Sequence, residues 1–261
     1  MCRHAAYVGP GVALSELLCD LDHSLLKQSY QPRHLLTGVV CADGYGVGWY
    51  DEDGEAARYA FPGPIWSDPN LAAMTPRIRS DCFVAAVRNA TVAGSNTHAN
   101  CAPFTQGRFH GSLNGALDDF AAWRDELWDG LPPALRRAGR GDTDAELVFL
   151  MVLAAMEGHE GPSALATATQ EVCRDLIDRA QRRGTKVQLN LLLSDGDQVV
   201  ATRAGSMPTQ NSLFLLHDGE EFPDAFVVAS EPLYDDPAWQ VVEPDTVLVL
   251  RADAPPVRLA V

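Results

Sequence analysis

The chain has 261 residues, with 35 acidic against 20 basic side chains and a formal charge of −15. Its composition, 46% apolar and 21% charged, is that of a folded protein with a sizeable core, not of a disordered chain. The acidic balance and scattered basic residues, densest at Arg136, Arg137 and Arg140, argue against nucleic acid or an anionic membrane as partner. The longest purely apolar run, residues 147–156, falls far short of the roughly 18 residues that cross a bilayer. No basic region followed by an apolar one marks a targeting signal. Six cysteines without a C-x-x-C pair fit neither a zinc knot nor a disulfide-built scaffold, so reduced thiols in the cytoplasm are expected.

No repeat, low-complexity tract or linker divides the chain, and one continuous domain over residues 2–261 is expected. Leu14, Leu17, Leu18, Leu21, Leu25 and Leu26 keep helical spacing and predict a first helix over 12–28. Strands over 45–50 and 56–61 flank Asp51-Glu52-Asp53-Gly54, a hairpin signal, and further strands are predicted over 82–87 and 108–113. Helices follow over 117–127, 144–158 and 163–183, the last closed by Gly184. Strands return over 187–193 and 199–203, around Asp195-Gly196, and over 212–216, 225–229 and 246–250. Strands, helices, then strands again, with hairpins at both ends, predict an α+β layered fold in which helices cover antiparallel sheets.

Four short segments carry chemistry. Met1 precedes Cys2, a residue small enough for methionine removal, which would leave a thiol and a free α-amino group on one residue, nucleophile and base together. A cysteine at position two is also commonly incidental. Arg88 closes the apolar run 83–87 and can offer a carboxylate a rigid fork, or simply end a strand in solvent. Asn114-Gly115 lies between a predicted strand and a helix, where an amide and a backbone N–H can converge on one oxygen; the pair equally makes a turn. Thr143 and Glu146 have capping-box spacing, placing Asp144 in a first helical turn, where it suits the dipole or holds an ammonium group. A metal pair of Cys2 and His4 has no second pair to complete it, and His98, His110, His159 and His217 show no ligand spacing.

Nucleophile, carboxylate clamp, oxyanion hole and ammonium clamp are the inventory for hydrolysing a γ-glutamyl amide. In order and kind, Cys2, Arg88 with Thr91, Asn114-Gly115 and Asp144 resemble the motifs of the class II, N-terminal nucleophile, glutamine amidotransferases. The segments 23–30, 42–50, 64–69, 102–104 and 228–233 are similar to the branch of that family that serves ergothioneine biosynthesis, removing glutamate from γ-glutamyl hercynylcysteine sulfoxide. The resemblance implies a four-layer αββα sandwich, no cofactor and no metal. It implies Cys2 as nucleophile with Asn114 and Gly115 holding the oxyanion, while Arg88, Thr91 and Asp144 bind the glutamyl group. Two positions depart from the family pattern, Leu113 and Ala86, where histidines are usual.

A trimethylammonium group on the leaving half would favour aromatic faces, for which Trp49, Tyr50, Trp66 and Trp239 are candidates, although each also suits a core or a rim. A small γ-glutamyl molecule is the expected partner, and a homodimer is left open. The competing readings are a glutaminase or γ-glutamyl peptide hydrolase of the same family, and a catalytically silent domain that binds γ-glutamyl ligands.

Overall fold

The structure is a computed structural model that describes residues 2–36, 38–90, 95–207 and 209–261. Its strands are, in chain order, β1 (Arg3–Ala13), β2 (Tyr45–Tyr50), β3 (Ala56–Phe61), β4 (Arg79–Val87), β5 (Phe104–Gln106), β6 (Phe109–Leu117), β7 (Val187–Ser194), β8 (Val199–Arg203), β9 (Phe214–His217), β10 (Phe226–Ala229), β11 (Gln240–Val241), β12 (Thr246–Arg251) and β13 (Ala254–Ala260). The α-helices are α1 (Leu25–Tyr30), α2 (Leu71–Met74), α3 (Phe120–Asp129), α4 (Pro133–Ala138), α5 (Asp144–Ala155) and α6 (Ala164–Arg183).

The strands form two antiparallel sheets, one ordered β11-β9-β10-β1-β4-β2-β3 and the other β13-β12-β8-β7-β6-β5. Successive strand residues point to opposite faces, and β1 shows what that does here. Ala6 and Val8 meet Val84, Leu192, Ala201 and Leu248 in a core between the sheets. Ala5 and Tyr7 face the other way, into a second core with Leu14, Leu17, Leu18 and Leu25. On the far side, Leu113 and Leu189 pack under Leu147, Leu150 and Leu176 of α5 and α6. These three cores separate four layers in the order αββα, as the resemblance implied. Both outer and inner faces of the central strands are therefore buried, which explains their nearly continuous apolar runs. Among the described residues no helix is long and apolar enough to cross a membrane.

The hairpin of β2 and β3 has the predicted bounds, its turn closed by Asp51 Oδ1, which accepts the N–H groups of Asp53 and Glu55 at 3.0 and 2.9 Å. The predicted helix over 12–28 does not form. β1 runs on to Ala13, and the leucines instead occupy a π-helical turn at Glu16–Asp20 and the short α1, with Leu21 extended between them. The main-chain N–H of His23 donates to Leu233, so a distant segment takes a donor that a continuous helix would use, while Leu14 and Ser15 donate to Ile78 and Thr75. Helical spacing identified the buried face, and tertiary hydrogen bonds broke the helix. The helix predicted over 117–127 begins later, at Phe120, because β6 continues to Leu117. Short elements β5, β11 and α4 and the proline-bearing edge strand β13 carry weak periodicity and were not anticipated.

Candidate active site

The site forms where β1 begins. Cys2 immediately precedes it, half-buried, with a free thiol. The β1–β4 register pairs Arg3 with Val87, so Arg88 leaves β4 beside Cys2. Arg88 is fixed from below: its N–H donates to Gly44 O at 2.7 Å, and its carbonyl accepts the Asp43 N–H at 2.9 Å. The Asp43 carboxylate in turn accepts the Ala90 N–H at 2.8 Å. The second sheet is tied to the first just behind the thiol. Ser230 Oγ accepts the His4 N–H at 3.0 Å and Asn114 Nδ2 at 3.2 Å, while the Ser230 N–H donates to His4 O at 2.9 Å. His4 Nδ1 meets Ser112 Oγ at 3.2 Å. Burial, then the adjacent Arg3 charge, pushes His4 down to about 3, so its ring is neutral.

Ladder geometry aims the backbone of Gly115. Its opposite residue on β7, Leu189, donates its N–H to Ala204, on the side of β8. The pair Gly115–Leu189 is thus one that exchanges no hydrogen bonds, and the Gly115 N–H points away from β7. On that side β5 pairs only as far as Gly111. The donor therefore faces the open edge of β6, where the cavity of Cys2 lies. Asn114 is fully buried, spends one N–H on Ser230 and accepts Asn211 Nδ2 on Oδ1 at 3.1 Å. A side chain at 115 has no room, since a Cβ there would stand 1.8 Å from Gln188 O.

Two residues further along the same edge, the Leu117 N–H donates to Asp144 Oδ2 at 3.0 Å. Asp144 opens α5, whose N-cap Thr143 accepts the Glu146 N–H at 3.2 Å. The capping box is only half made: the Glu146 carboxylate turns to the Arg140 and Gly141 N–H groups at 2.9 and 2.7 Å, bracing the preceding loop. Burial raises the Asp144 carboxyl above the usual range, although the Leu117 and Ala145 N–H groups and the Arg88 charge oppose the shift. Arg88 itself donates to Ser95 O and Oγ at 3.0 and 2.8 Å. Gly115 and Leu117 are two strand residues, roughly 7 Å, apart. That is close to the span from the γ-carbonyl of a glutamyl group to its α-substituents.

Cys2, Arg88, Gly115 and Asp144 thus line one cavity, together with Asn100 and Phe104. Asn114 stands behind it, and Thr91 lies outside the described residues. Leu113, at one of the two departures, packs beneath α5 on the opposite face of β6 from Asn114, and Ala86, at the other, sits directly opposite His4. The aromatic pocket proposed for a leaving group is not here. Tyr50 lies five residues up β2 from Tyr45, the residue paired with Val87, and its hydroxyl is bound to Arg108 O and Ser194 Oγ at 2.8 and 2.9 Å. Trp49 shares the outer face of β2 with Tyr45 and Val47, away from the cavity, and Trp239 packs in the same outer core. Trp66 is 46% exposed and meets Tyr30 edge-on at 5.9 Å. Strand alternation and strand direction decide the placements of Trp49 and Tyr50.

A buried polar cluster that no sequence motif marked out stands behind Cys2. Arg3 Nε donates to Cys2 O at 2.7 Å, and its Nη1 to Glu231 Oε1 at 3.2 Å, both side chains being fully buried. Glu231 also accepts His23 Nε2 at 2.7 Å and the N–H groups of Arg33 and His34 at 2.8 and 3.0 Å. Burial alone would raise its pKa, but these donors and the Arg3 charge together hold it at about 2. The available signal was Ser230-Glu231 directly after the apolar strand 225–229, polar residues where a buried strand ends.

Comparison with known proteins gives a family. Residues 15–214 match the model of the class II glutamine amidotransferases. The γ-glutamyl-hercynylcysteine sulfoxide hydrolase of Mycolicibacterium smegmatis is 35% identical over 254 residues, 97% of each chain. In structure, a glutamine aminotransferase class-II domain protein of Silicibacter pomeroyi superposes with a TM-score of 0.72 at 24% identity, covering 99% of both chains. The glutamine phosphoribosylpyrophosphate amidotransferase of B. subtilis does so with a TM-score of 0.64 at 16% identity, over 99% of this chain and 49% of that one.

Proposed function

We propose that this chain, which belongs to the class II glutamine amidotransferases, is a cytoplasmic hydrolase that releases glutamate from γ-glutamyl hercynylcysteine sulfoxide, with Cys2 as nucleophile. The observation that carries the substrate is the similarity along 97% of the chain to a hydrolase of that name. The chemistry is supported by one cavity holding a thiol at the chain start, an outward backbone N–H and an opposed Arg88 and Asp144.

Once Met1 is removed, the neutral α-amino nitrogen of Cys2 takes the thiol proton, and sulfur attacks the γ-carbonyl carbon. The oxyanion accepts the Gly115 N–H and an Asn114 amide hydrogen, donors already fixed before charge develops. The proton passes from the α-amino group to the leaving amine, the C–N bond breaks, and a γ-glutamyl thioester remains. Water attacks the thioester, and glutamate leaves as the thiol reforms. Arg88 grips the substrate α-carboxylate and Asp144 its α-ammonium.

The test uses protein whose intact mass shows loss of Met1, with glutamate release measured from γ-glutamyl hercynylcysteine sulfoxide, glutamine and glutathione. Release mainly from the first is expected; release mainly from glutamine or glutathione overturns the substrate assignment. Arg88→Ala removes a charge-assisted clamp and is expected to raise KM roughly 10-fold or more, with a smaller effect on kcat. An unchanged KM removes Arg88 from that role.

A further inference from the structure

Neither Arg3 nor Glu231 lines the cavity, yet the pair is built directly onto the nucleophile. We propose that Arg3 and Glu231 are positioning residues for Cys2: the guanidinium fixes its main chain and sets a positive charge beside its thiol and α-amino group, and the carboxylate holds the guanidinium and balances that charge. The proposal rests on Cys2 being the nucleophile.

Three observations carry it. Arg3 Nε bonds the carbonyl of Cys2 itself, so covalent geometry keeps it no more than about 6 Å from the α-nitrogen. At that range in a buried setting an unopposed positive charge disfavours an ammonium and favours a thiolate, and an unopposed negative charge does the reverse. Second, Arg3 is fully buried with Glu231 as its ionic partner, and its Nη2 has no hydrogen-bond partner among the described residues. Third, Glu231 divides its two oxygens among four donors, Arg3, His23, Arg33 and His34, so its charge is anchored and only partly spent on Arg3. A buried ion pair is a poor source of stability compared with apolar packing of the same volume. Its position behind a nucleophile gives it a different use.

The other groups facing Cys2 are the thiols of Cys41 and Cys101, with Arg88 and Asp144 across the cavity and the neutral His4 one strand residue further on. Burial raises Cys41 to about 12 and also raises Cys101, so both stay protonated at neutral pH, and Arg3 and Glu231 are the charges adjoining the main chain of Cys2.

The test is the rate of iodoacetamide alkylation of Cys2 against pH, resolved by peptide mass spectrometry, in the full chain and its variants. Glu231→Gln leaves the guanidinium unopposed and is expected to move the inflection down by about one pH unit. Arg3→Met leaves the carboxylate alone and should move it up by a similar amount. The double variant is expected to return close to the wild type, a compensation that a purely structural role does not produce. Where Arg3→Met does not fold, Arg3→Lys keeps the charge and should hold the inflection near the wild-type value. An unmoved inflection in Glu231→Gln, or shifts of the same sign in both single variants, overturns the proposal. Alkylation needs no turnover, so opposite shifts in an enzyme that releases no glutamate would sustain the pair and sink the proposed reaction.

Discussion

Cys2→Ala is expected to lower glutamate release by about four orders of magnitude or more, with the melting temperature within about 2 °C of the parent. Both halves follow from the structure. The thiol is the only group of residue 2 that alanine removes, and the contact that fixes β1 here uses the main-chain carbonyl, which donors such as Arg3 Nε still find. Alanine is also small enough for Met1 to be cleaved, so the α-amino base survives and its solitary contribution is what the variant reports. Retained release in a protein of confirmed mass would remove Cys2 from the mechanism.

Gly115→Ala is expected to damage fold and chemistry together, lowering the melting temperature on the order of 10 °C and kcat about 100-fold. The new Cβ would stand 1.8 Å from Gln188 O and 2.7 Å from its carbonyl carbon, both main-chain atoms inside the β6–β7 ladder. No rotamer change relieves that contact, so β6 must move, and with it the Gly115 N–H and the Asn114 amide. Thermal melts and kcat measured on one preparation check the prediction. Normal kcat in the destabilised variant would separate the glycine's packing from any part in catalysis.

What the sequence revealed and what it concealed divide along a physical line. Cys2, Arg88 and Asp144 were legible because each stands at an element boundary, where polar residues interrupt apolar runs, whereas Asn114-Gly115, read as following a strand and preceding a helix, lies inside β6. The hairpin of β2 and β3 was legible because its turn chemistry is local, closed by Asp51 alone. The predicted first helix gives way where the His23 N–H finds its acceptor at Leu233, and spacing alone carries no information about such a partner. The aromatic residues were misplaced for a related reason. Trp49 and Tyr50 are neighbours in sequence, but pleating sends them to opposite faces and strand direction carries both away from the chain start. Glu231 falls in one of the similar segments and Arg3 in none, and their relation was hidden because it spans 228 positions and appears only when β10 pairs with β1.

That pairing sets an order of events during synthesis. β1 is the middle strand of its sheet, flanked by β4 and by β10, which lies near the other end of the chain. Ser230 and Glu231, which seat the first residues, follow directly after β10. During synthesis Arg3 and His4 therefore cannot find these partners until residue 231 has emerged from the exit tunnel. Fragments that stop before Phe226 hold every described residue that lines the cavity and none of β10, so one side of β1 is left without its partner strand.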